Sequence, residues 1–354
     1  MQKIQVEGKD LQNALGIASR VAPPTEGNVI LIGKASKLYV FSMSELARCE
    51  TIVPAKIEGK DFEFAIPLDA LRDATKGRDT LELTWDGNLL GIRSSGYKAD
   101  LITIDAISRD ELDKVTATEA SLSAEQAVWL KSTVNDVALK PTAMLAAFMP
   151  VTVKLTAKGA FVACYDNQHM AFTNSNEVTG ELMLTLPLDS FQTILDVFGS
   201  SSIKLKVSNS RVEIRNKLTF IAMSLPSMED SVSAEDVISK AREAMKTAGT
   251  ALVLDKQAVL AFLDNARSVM GKERIEVTAN SDAGKIKFVV KTVRGTINAI
   301  VKATGKKASF KIDFEYFQEM VQKTKGAELE LSVVTDAFIS SKYEGGIALV
   351  ALNQ

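Results

Sequence analysis

The pattern of apolar and polar positions repeats three times along the chain. In each copy, residues alternate between apolar and polar, the period of a β-strand, and then place apolar side chains every three or four positions, the period of an α-helix. The three transitions lie at residues 64–71, 184–191 and 310–317. Pro67 and Pro187 are 120 positions apart, and Asp313 follows Pro187 by 126. The pattern therefore predicts three units of similar length.

The three predicted helices share their beginning and their end. Pro67, Pro187 or Asp313 precedes the helix, and proline is favourable there because the first N–H groups of a helix have no partner within it. An acidic residue follows two positions later and suits the positive end of the helix dipole. A glycine then ends each helix, and an alternating strand follows at 81–83, 203–205 and 329–331. The predicted apolar stripes are Leu68, Leu71 and Ala74; Leu188, Phe191, Ile194 and Leu195; and Phe314, Phe317, Met320 and Val321. The glycines are Gly77, Gly199 and Gly326.

A weaker strand-to-helix copy precedes each of these transitions by roughly 60 residues. Its strands are predicted at 4–6, 120–122 and 252–254. Its helical apolar positions are Leu11, Leu15 and Ala18; Val128 and Val134; and Val259, Phe262, Leu263 and Ala266. Each unit thus consists of two half-units. The fold class predicted is α+β, with six helices that cover one face of antiparallel sheets.

The length of 354 residues also favours several domains, since one hydrophobic core rarely organises so long a chain. The expected domains are residues 1–108, 117–228 and 249–354, with linkers at 109–116 and 229–248. The second linker carries apolar residues at helical spacing, which indicates either a short helix packed on its neighbour domain or a helix that docks a partner. These residues are Val237, Ile238, Ala241, Ala244 and Met245.

Composition narrows the class of protein. Hydrophobic residues make up 46% and charged residues 24%, which is typical of a soluble globular protein and excludes a mainly disordered one. No apolar run is long enough to span a bilayer, and the first residues do not form a signal peptide, so a cytoplasmic location is expected. One histidine and no CxxC pair leave no zinc motif, and no cofactor is expected. The net charge of -2 still allows one basic face for nucleic acid.

Three tandem domains of two half-repeats resemble the bacterial-type DNA polymerase sliding clamp, and the resemblance covers the whole chain. Residues 6–19 are similar to the first helix entry of that family. Residues 165–171, Tyr-Asp-Asn-Gln-His-Met-Ala, are similar to the family's Thr-Asp-Gly-His-Arg-Leu-Ala loop but lack its Gly and Arg and displace the His by one position. The tail at 347–352 is an alternating apolar strand, as in the family. The departures favour a divergent clamp, such as one encoded by a phage.

The resemblance implies a ring. In that family two three-domain subunits join head to tail, helices line the hole and a continuous sheet lies outside. The implied partners are double-stranded DNA, a DNA polymerase, a clamp loader and a second copy of the chain. Strand edges that pair between subunits leave no exposed edge, and two head-to-tail contacts close a ring when each subunit turns through half a circle.

A ring that slides should hold DNA by diffuse positive charge and should not read base edges. Basic residues on or just beyond the predicted helices are therefore DNA-binding candidates, although each can equally belong to a solvated helix face. The helix at 188–198 carries Asp189 and Asp196 and no Lys or Arg, which makes it a doubtful DNA contact. The candidates are Arg20, Arg72, Lys76, Arg78, Lys131, Lys140, Arg267, Lys272, Lys323 and Lys325.

The family also has a hydrophobic pocket, between the middle and last domains, that binds peptides of polymerases and clamp loaders. The resemblance implies its position here, while the competing interpretation is ordinary core or loop residues. Its walls would be Phe148, Tyr165, His169, Met170, Pro226, Val350 and Leu352.

A further basic segment lies at 283–312, which has eight basic and no acidic residues. The alternation from Lys285 to Phe288 places Lys285 and Lys287 on the outer, wet face of a strand. Two roles are open: solubility, or a patch for DNA near the rim of the ring or for an acidic partner. The basic residues are Lys285, Lys287, Lys291, Arg294, Lys302, Lys306, Lys307 and Lys311.

Two other classes of function compete with a clamp. Asp166 and His169 could form an acid-base pair, but no nucleophile, glycine-rich phosphate loop or metal cluster accompanies them, so the chain is not expected to be an enzyme. A repetitive structural protein of a virion or surface assembly would share the repeated sheets without any DNA role. It would have no reason to place basic residues preferentially on helices.

Overall fold

The computed structural model describes residues 1–106, 117–138, 149–166, 169–208, 210–225, 233–271, 275–282, 284–324, 326–335, 337–343 and 346–352. Seven helices lie in these ranges: α1 (Gly8–Val21), α2 (Leu68–Thr75), α3 (Ala124–Val137), α4 (Leu188–Phe198), α5 (Ala234–Lys246), α6 (Lys256–Val269) and α7 (Phe314–Lys323). The strands are β1 (Gln2–Glu7), β2 (Asn28–Lys34), β3 (Lys37–Met43), β4 (Ala47–Glu58), β5 (Phe62–Pro67), β6 (Thr80–Trp85), β7 (Leu89–Ser94), β8 (Tyr97–Ile102), β9 (Thr118–Leu122), β10 (Pro150–Thr156), β11 (Gly159–Tyr165), β12 (His169–Ser175), β13 (Leu182–Pro187), β14 (Ile203–Val207), β15 (Arg211–Arg215), β16 (Thr219–Ser224), β17 (Thr250–Asp255), β18 (Glu276–Asp282), β19 (Lys285–Thr292), β20 (Gly295–Gly305), β21 (Ser309–Asp313), β22 (Glu328–Val334), β23 (Phe338–Tyr343) and β24 (Gly346–Ala351).

The chain forms two compact units. The first comprises Met1–Val128 and Thr193–Glu229 and contains a 12-stranded sheet with the order β8-β7-β6-β1-β4-β16-β15-β14-β9. A branch of this sheet joins β4 to β3, β3 to β2 and β2 to β5. Every pair is antiparallel, as the alternating strands predicted.

The second unit comprises Trp129–Gln192 and Asp230–Gln354. Its 12-stranded sheet has the order β13-β10-β11-β12-β24-β23-β22-β17-β20-β19-β18-β21. The middle repeat thus contributes β9 and β14–β16 to the first unit and β10–β13 to the second.

An equivalent backbone hydrogen bond forms at the start of the second helix in all three repeats. The N–H of Leu68 donates to the carbonyl of Gly27 at 2.9 Å, the N–H of Leu188 to Met149 at 2.7 Å, and the N–H of Phe314 to Ile275 at 2.9 Å. In each case the acceptor is the residue immediately before a strand: β2, β10 or β18. These equivalent bonds satisfy one N–H of the helix start and agree with the predicted repeat.

The predicted apolar stripes are buried, with one exception. The stripes of α1 and α2 pack into the core of the first unit and those of α6 and α7 into the core of the second, and the stripe of α4 is also buried. The prediction was wrong for Val128, which is 52% exposed. Ala127, Leu130 and Val134 define the buried side of α3 instead, because three-to-four spacing from Val134 leads to Leu130 and Ala127 and passes over Val128.

The helix ends differ between repeats. Asp313 caps α7, since its Oδ1 accepts the N–H groups of Glu315 and Tyr316 at 3.0 and 3.3 Å, whereas Pro67 makes no such bond at α2. Gly77 and Gly326 have positive φ after α2 and α7, as expected for a C-terminal glycine, but Gly199 after α4 does not.

Helix α5 lies within the predicted second linker. Ser233 caps its N-terminus by accepting the N–H of Asp236 at 3.1 Å. Val237, Ile238 and Ala241 are buried against the outward-facing side chains of β11 and β12, which include Phe161 and Tyr165. The predicted short, packed helix is confirmed.

Candidate functional site

A cavity of about 330 Å3 opens in the second unit beside α5. The loop between β11 and β12 forms one side, the helix forms another, and β23 and β24 form the third. Its lining is largely apolar, with charged groups at Asp166, Lys240 and Glu243. The lining residues are Tyr165, Asp166, His169, Met170, Val237, Lys240, Glu243, Ala244, Thr247, Ala337, Phe338, Leu349 and Ala351.

A tight turn fixes the loop that carries His169 and Met170. The N–H of Asp166 donates to the carbonyl of His169 at 2.8 Å, and the N–H of His169 donates to Oδ1 of Asp166 at 2.6 Å. A short acidic side chain that accepts from the backbone three residues on stabilises such a turn. Tyr165 and Met170 are therefore directly opposite each other on β11 and β12, and successive positions of β12 face opposite sides of the sheet.

His169 is enclosed between the loop and α7. It is 2% exposed, its ring centroid lies 4.9 Å from that of Tyr316, and its Nδ1 lies 3.9 Å from Oε2 of Glu319. Burial, with a smaller contribution from the charge of Lys323, lowers the pKa of His169 to about 3. The 3.9 Å separation from Glu319 is too long for a hydrogen bond, so this carboxylate does not offset the burial. His169 is consequently neutral at pH 7.

The hydroxyl groups of two tyrosines also belong to this region. Tyr316 donates a hydrogen bond of 2.7 Å to Oδ2 of Asp166. The hydroxyl of Tyr165 lies 3.4 Å from that of Thr152, and burial raises the pKa of Tyr165. The first contact holds the loop at Asp166, and the second joins β11 to β10. Met170 and Leu349 line the cavity.

The structure brings some predicted pocket residues together and separates others. Tyr165, His169 and Met170 line the cavity, whereas Val350 is 0% exposed in the core behind it. Leu352 is half-buried and packs against that same core. Leu349 and Ala351 line the cavity because neighbouring residues of a strand face opposite sides. Phe148 and Pro226 lie outside the described residues.

Sequence reasoning missed the residues that α5 contributes. Val237, Lys240, Glu243 and Ala244 line the cavity, although the expected linker contained them only as a packed or partner-docking helix. Their helical spacing predicted the helix, but nothing in it indicated that its flank closes a cavity. Phe338 of β23 also lines the cavity, but the sequence around it has the ordinary pattern of a strand and did not mark it as a site residue.

The basic candidates of the first unit cluster on α1, α2 and the turn that follows. Arg72 bonds Asp69 at 2.9 Å and lies 3.4 Å from the hydroxyl of Ser19, which links the two helices. The guanidinium of Arg78 stacks over Tyr97 at 3.2 Å from the ring centroid. Arg20 bonds the carbonyl of Gly16 at 3.3 Å, and Lys76 is exposed just beyond α2.

The basic candidates of the second unit are engaged with neighbouring groups. Arg267 of α6 pairs with Glu315 of α7 at 2.5 Å. Lys323 donates to the carbonyl of Asp136 at 2.7 Å and lies 5.7 Å from the ring centroid of Tyr343. Lys131 is half-buried on α3. Lys140, Lys272 and Lys325 lie outside the described residues.

Comparison with known proteins identifies the fold. No family model and no curated protein matches the chain. A DNA polymerase sliding clamp from Pseudomonas aeruginosa, solved with a ligand, has a TM-score of 0.81 at 9% identity, with 100% of both chains covered. The chain has the sliding-clamp fold.

Other solved sliding clamps agree. The DNA polymerase III beta subunit of Thermotoga maritima and a putative beta subunit of Eubacterium rectale both have TM-scores of 0.77, at 16% and 15% identity. Each match covers 100% of both chains. The predicted α+β clamp architecture is therefore confirmed, and the low identities agree with a divergent sequence. In the described part of the chain, no helix is both long and apolar enough to cross a membrane.

Proposed function

We propose that the protein is a DNA polymerase processivity factor, a ring of two copies that encircles duplex DNA without sequence specificity and tethers the polymerase. The observation that carries the proposal is the match to sliding-clamp subunits over 100% of both chains, at TM-scores of 0.77 to 0.81. On this proposal the chain is not an enzyme and needs no cofactor. Its domains are residues 1–108, 117–228 and 249–354, and it acts in the cytoplasm or, if phage-encoded, in the nucleoid of the host.

Two strand edges support a head-to-tail ring. β8 ends the order of the first sheet and carries Ile102, which is 73% exposed. In the second unit, residues 295–302 of β20 pair with β19, while only residues 303–305 pair with β17. An edge with unsatisfied backbone groups invites a partner strand. Pairing of the first unit of one copy with the second unit of the other would cover both edges and close the ring after two contacts.

Basic side chains on the helices support non-specific DNA binding. Arg20 and Arg72 lie on α1 and α2, Lys76 and Arg78 lie just beyond α2, and Arg267 and Lys323 lie on α6 and α7. Charges on the ends of helices can contact phosphates without reading bases. The acidic α4 does not offer such contacts, so DNA would be held mainly through the first and last domains.

The cavity beside α5 is the proposed docking site for short peptides of the polymerase and the clamp loader. Met170, Leu349 and Val237 offer apolar contacts, and Lys240 and Glu243 can orient a peptide by charge. Two or three buried apolar anchors, at ~25 cal/mol per Å2, would give affinities in the micromolar range.

Retention on circular and linearised DNA tests the ring. After loading by the cognate clamp loader, the protein should stay on closed circles and leave when the circle is cut. Equal loss from circular and cut DNA would refute topological binding. Light scattering is a simpler check, because one chain has a mass of 38.3 kDa and a ring should have twice that mass. A monomer at micromolar concentration would argue against the closed ring, and an open polymer would favour a structural assembly protein.

A further inference from the structure

One face of the sheet formed by β18 to β21 carries an excess of positive charge. Ile286, Phe288 and Val290 of β19 are fully buried against α6 and α7, so the alternate positions of the strand face away from the helices. Three of the four alternate positions, 285, 287 and 291, hold lysines, and the fourth is Val289. β20 and β21 each add one lysine. The lysine face, as we call it, consists of Lys285, Lys287 and Lys291 of β19, Lys302 of β20 and Lys311 of β21, all exposed.

The two carboxylates on the same face, Glu276 and Asp282 of β18, do not balance its five lysines. Lys285 is directly opposite Lys302, an arrangement of like charges that destabilises a sheet. On its other side Lys285 faces Asp282, but that carboxylate pairs with Lys307 at 2.5 Å. Within the described residues, none of the salt bridges involves the five lysines of this face. Between 284 and 312 the sequence has no acidic residue at all.

Edge protection and solubility do not account for this arrangement. Lysine on an edge strand discourages aggregation, but β19 lies between β18 and β20 and has no edge to protect. Two exposed strand lysines elsewhere have carboxylate partners: Lys206 bonds Glu119 at 2.7 Å, and Lys98 lies 3.4 Å from Asp100. A solubilising surface normally mixes both signs of charge. The lysine face instead maintains a repulsive pair.

We propose that the lysine face binds the sugar-phosphate backbone of duplex DNA. The polar, uncharged residues between the lysines on this face include Thr278, Asn280, Asn298 and Ser309. Hydroxyl and amide side chains beside lysines are the groups that proteins use to contact phosphates. No aromatic side chain is exposed on the described residues of β18 to β21, so the base stacking that single-strand binders use is not available.

This contact goes beyond the proposed ring function, because it uses a sheet face turned away from the helices and needs no loading. Ile300 is 66% exposed on the same face, opposite Lys287, so an acidic peptide with an apolar side chain is the competing occupant. The regular spacing of the lysines, with no exposed aromatic side chain on the described residues of these strands to anchor a peptide, favours duplex DNA as the occupant. The experiment below separates the two.

Binding of the unloaded protein to relaxed, closed circular duplex tests the proposal, since a closed ring cannot thread onto a circle. The test variant combines Lys285→Gln, Lys287→Gln and Lys302→Gln. It should bind about tenfold more weakly than the unsubstituted protein at moderate salt, and the slope of log K against log salt should fall by about 2 to 3. The control variant combines Lys3→Gln, Lys37→Gln and Lys56→Gln, exposed strand lysines of the first unit, and should bind normally.

Each result decides the question. Equal affinity of the test variant and the unsubstituted protein, or an equal loss in the control variant, would overturn the proposal. So would stronger binding to oligo(dT) than to duplex. Polyglutamate binding that depends on these lysines while duplex binding does not would overturn it in favour of an acidic protein partner. Loader-dependent retention of the test variant on circles should be unchanged, so failure of the lysine face and failure of the ring are distinguishable. Thermal unfolding checks that both variants are folded.

Discussion

The hydroxyl of Tyr316 donates a hydrogen bond of 2.7 Å to Asp166, a residue 150 positions earlier in the chain. Tyr316 lies on α7, and Asp166 begins the turn that presents Met170 to the cavity. The same helix carries Lys323, a DNA-binding candidate. One short helix therefore holds the loop of the proposed peptide pocket through Tyr316 and carries a DNA-binding candidate at Lys323.

Tyr316→Phe should loosen the pocket loop without unfolding the protein. It removes one partly buried hydrogen bond, which costs about 1 kcal/mol of unfolding free energy, while the ring can still pack on His169. Affinity for the cognate polymerase's terminal peptide should fall several-fold, measured by fluorescence anisotropy. Tyr39→Phe, in the first unit, is the matched control. Unchanged peptide affinity in Tyr316→Phe would show that the bond does not position the loop.

Met170→Ala should weaken peptide binding about tenfold, because it removes an apolar contact worth about 1.4 kcal/mol from the cavity. Met183→Ala provides the comparison, since Met183 is an exposed methionine of the same unit that does not line the cavity. Isothermal titration with the same peptide measures both. A similar loss in the two variants would argue against this cavity as the docking site.

The pKa of His169 predicts a specific dependence of stability on pH. The folded protein holds its pKa near 3, below the ordinary value of 6.5, so the unfolded chain binds more protons between these two values. Stability from the neutral histidine is fully present above pH 6.5 and should fall by about 1.4 kcal/mol per pH unit as the pH decreases toward 3.

His169→Gln tests this dependence cleanly, since His169 is the only histidine of the chain. Denaturant unfolding at several pH values below 6.5 should give a steeper loss for the unsubstituted protein than for the variant. Carboxylates remote from His169 are common to both proteins, so their contribution cancels in the difference. Parallel curves of unfolding free energy against pH for the two proteins would mean that folding does not lower the pKa of His169.

Asp313→Ala should cost about 1 kcal/mol, because the N–H groups of Glu315 and Tyr316 lose the carboxylate that caps α7. Asp189→Ala, an exposed first-turn residue of α4, should cost less because Asp189 is not the N-terminal cap. Chemical denaturation compares the two. Since Tyr316 is in the first turn, Asp313→Ala should also weaken peptide binding slightly.

The sequence predicted most of the fold because the strand-to-helix signature combines the two-residue period of a strand with the 3.6-residue period of a helix, and the two are easily told apart. It predicted less of the pocket. Every residue of the tail from Ile347 to Leu352 is apolar, so the expected alternating strand has no polar position that marks its exposed face. The sequence therefore did not show that Leu349 faces the cavity while Val350 faces the core. Helical spacing showed that α5 exists, but not which surface it covers. The bond between Tyr316 and Asp166 joins distant segments and leaves no local pattern.

Charge reversal on the first pair of helices tests the DNA contact proposed for the interior of the ring. Arg20→Glu with Lys76→Glu places two acidic groups at exposed positions of α1 and just beyond α2, so folding should be little affected. Binding to a short linear duplex should weaken. The slope of log K against log salt should fall by about 2, because two phosphate contacts, and the counterions that they release from the DNA, are lost. Lys34→Glu with Lys37→Glu, at the turn between β2 and β3, makes the same charge change away from the helices and should leave the slope unaltered. If both double variants reduce the slope equally, net charge and not the helix face controls binding, and the proposed interior contact does not stand.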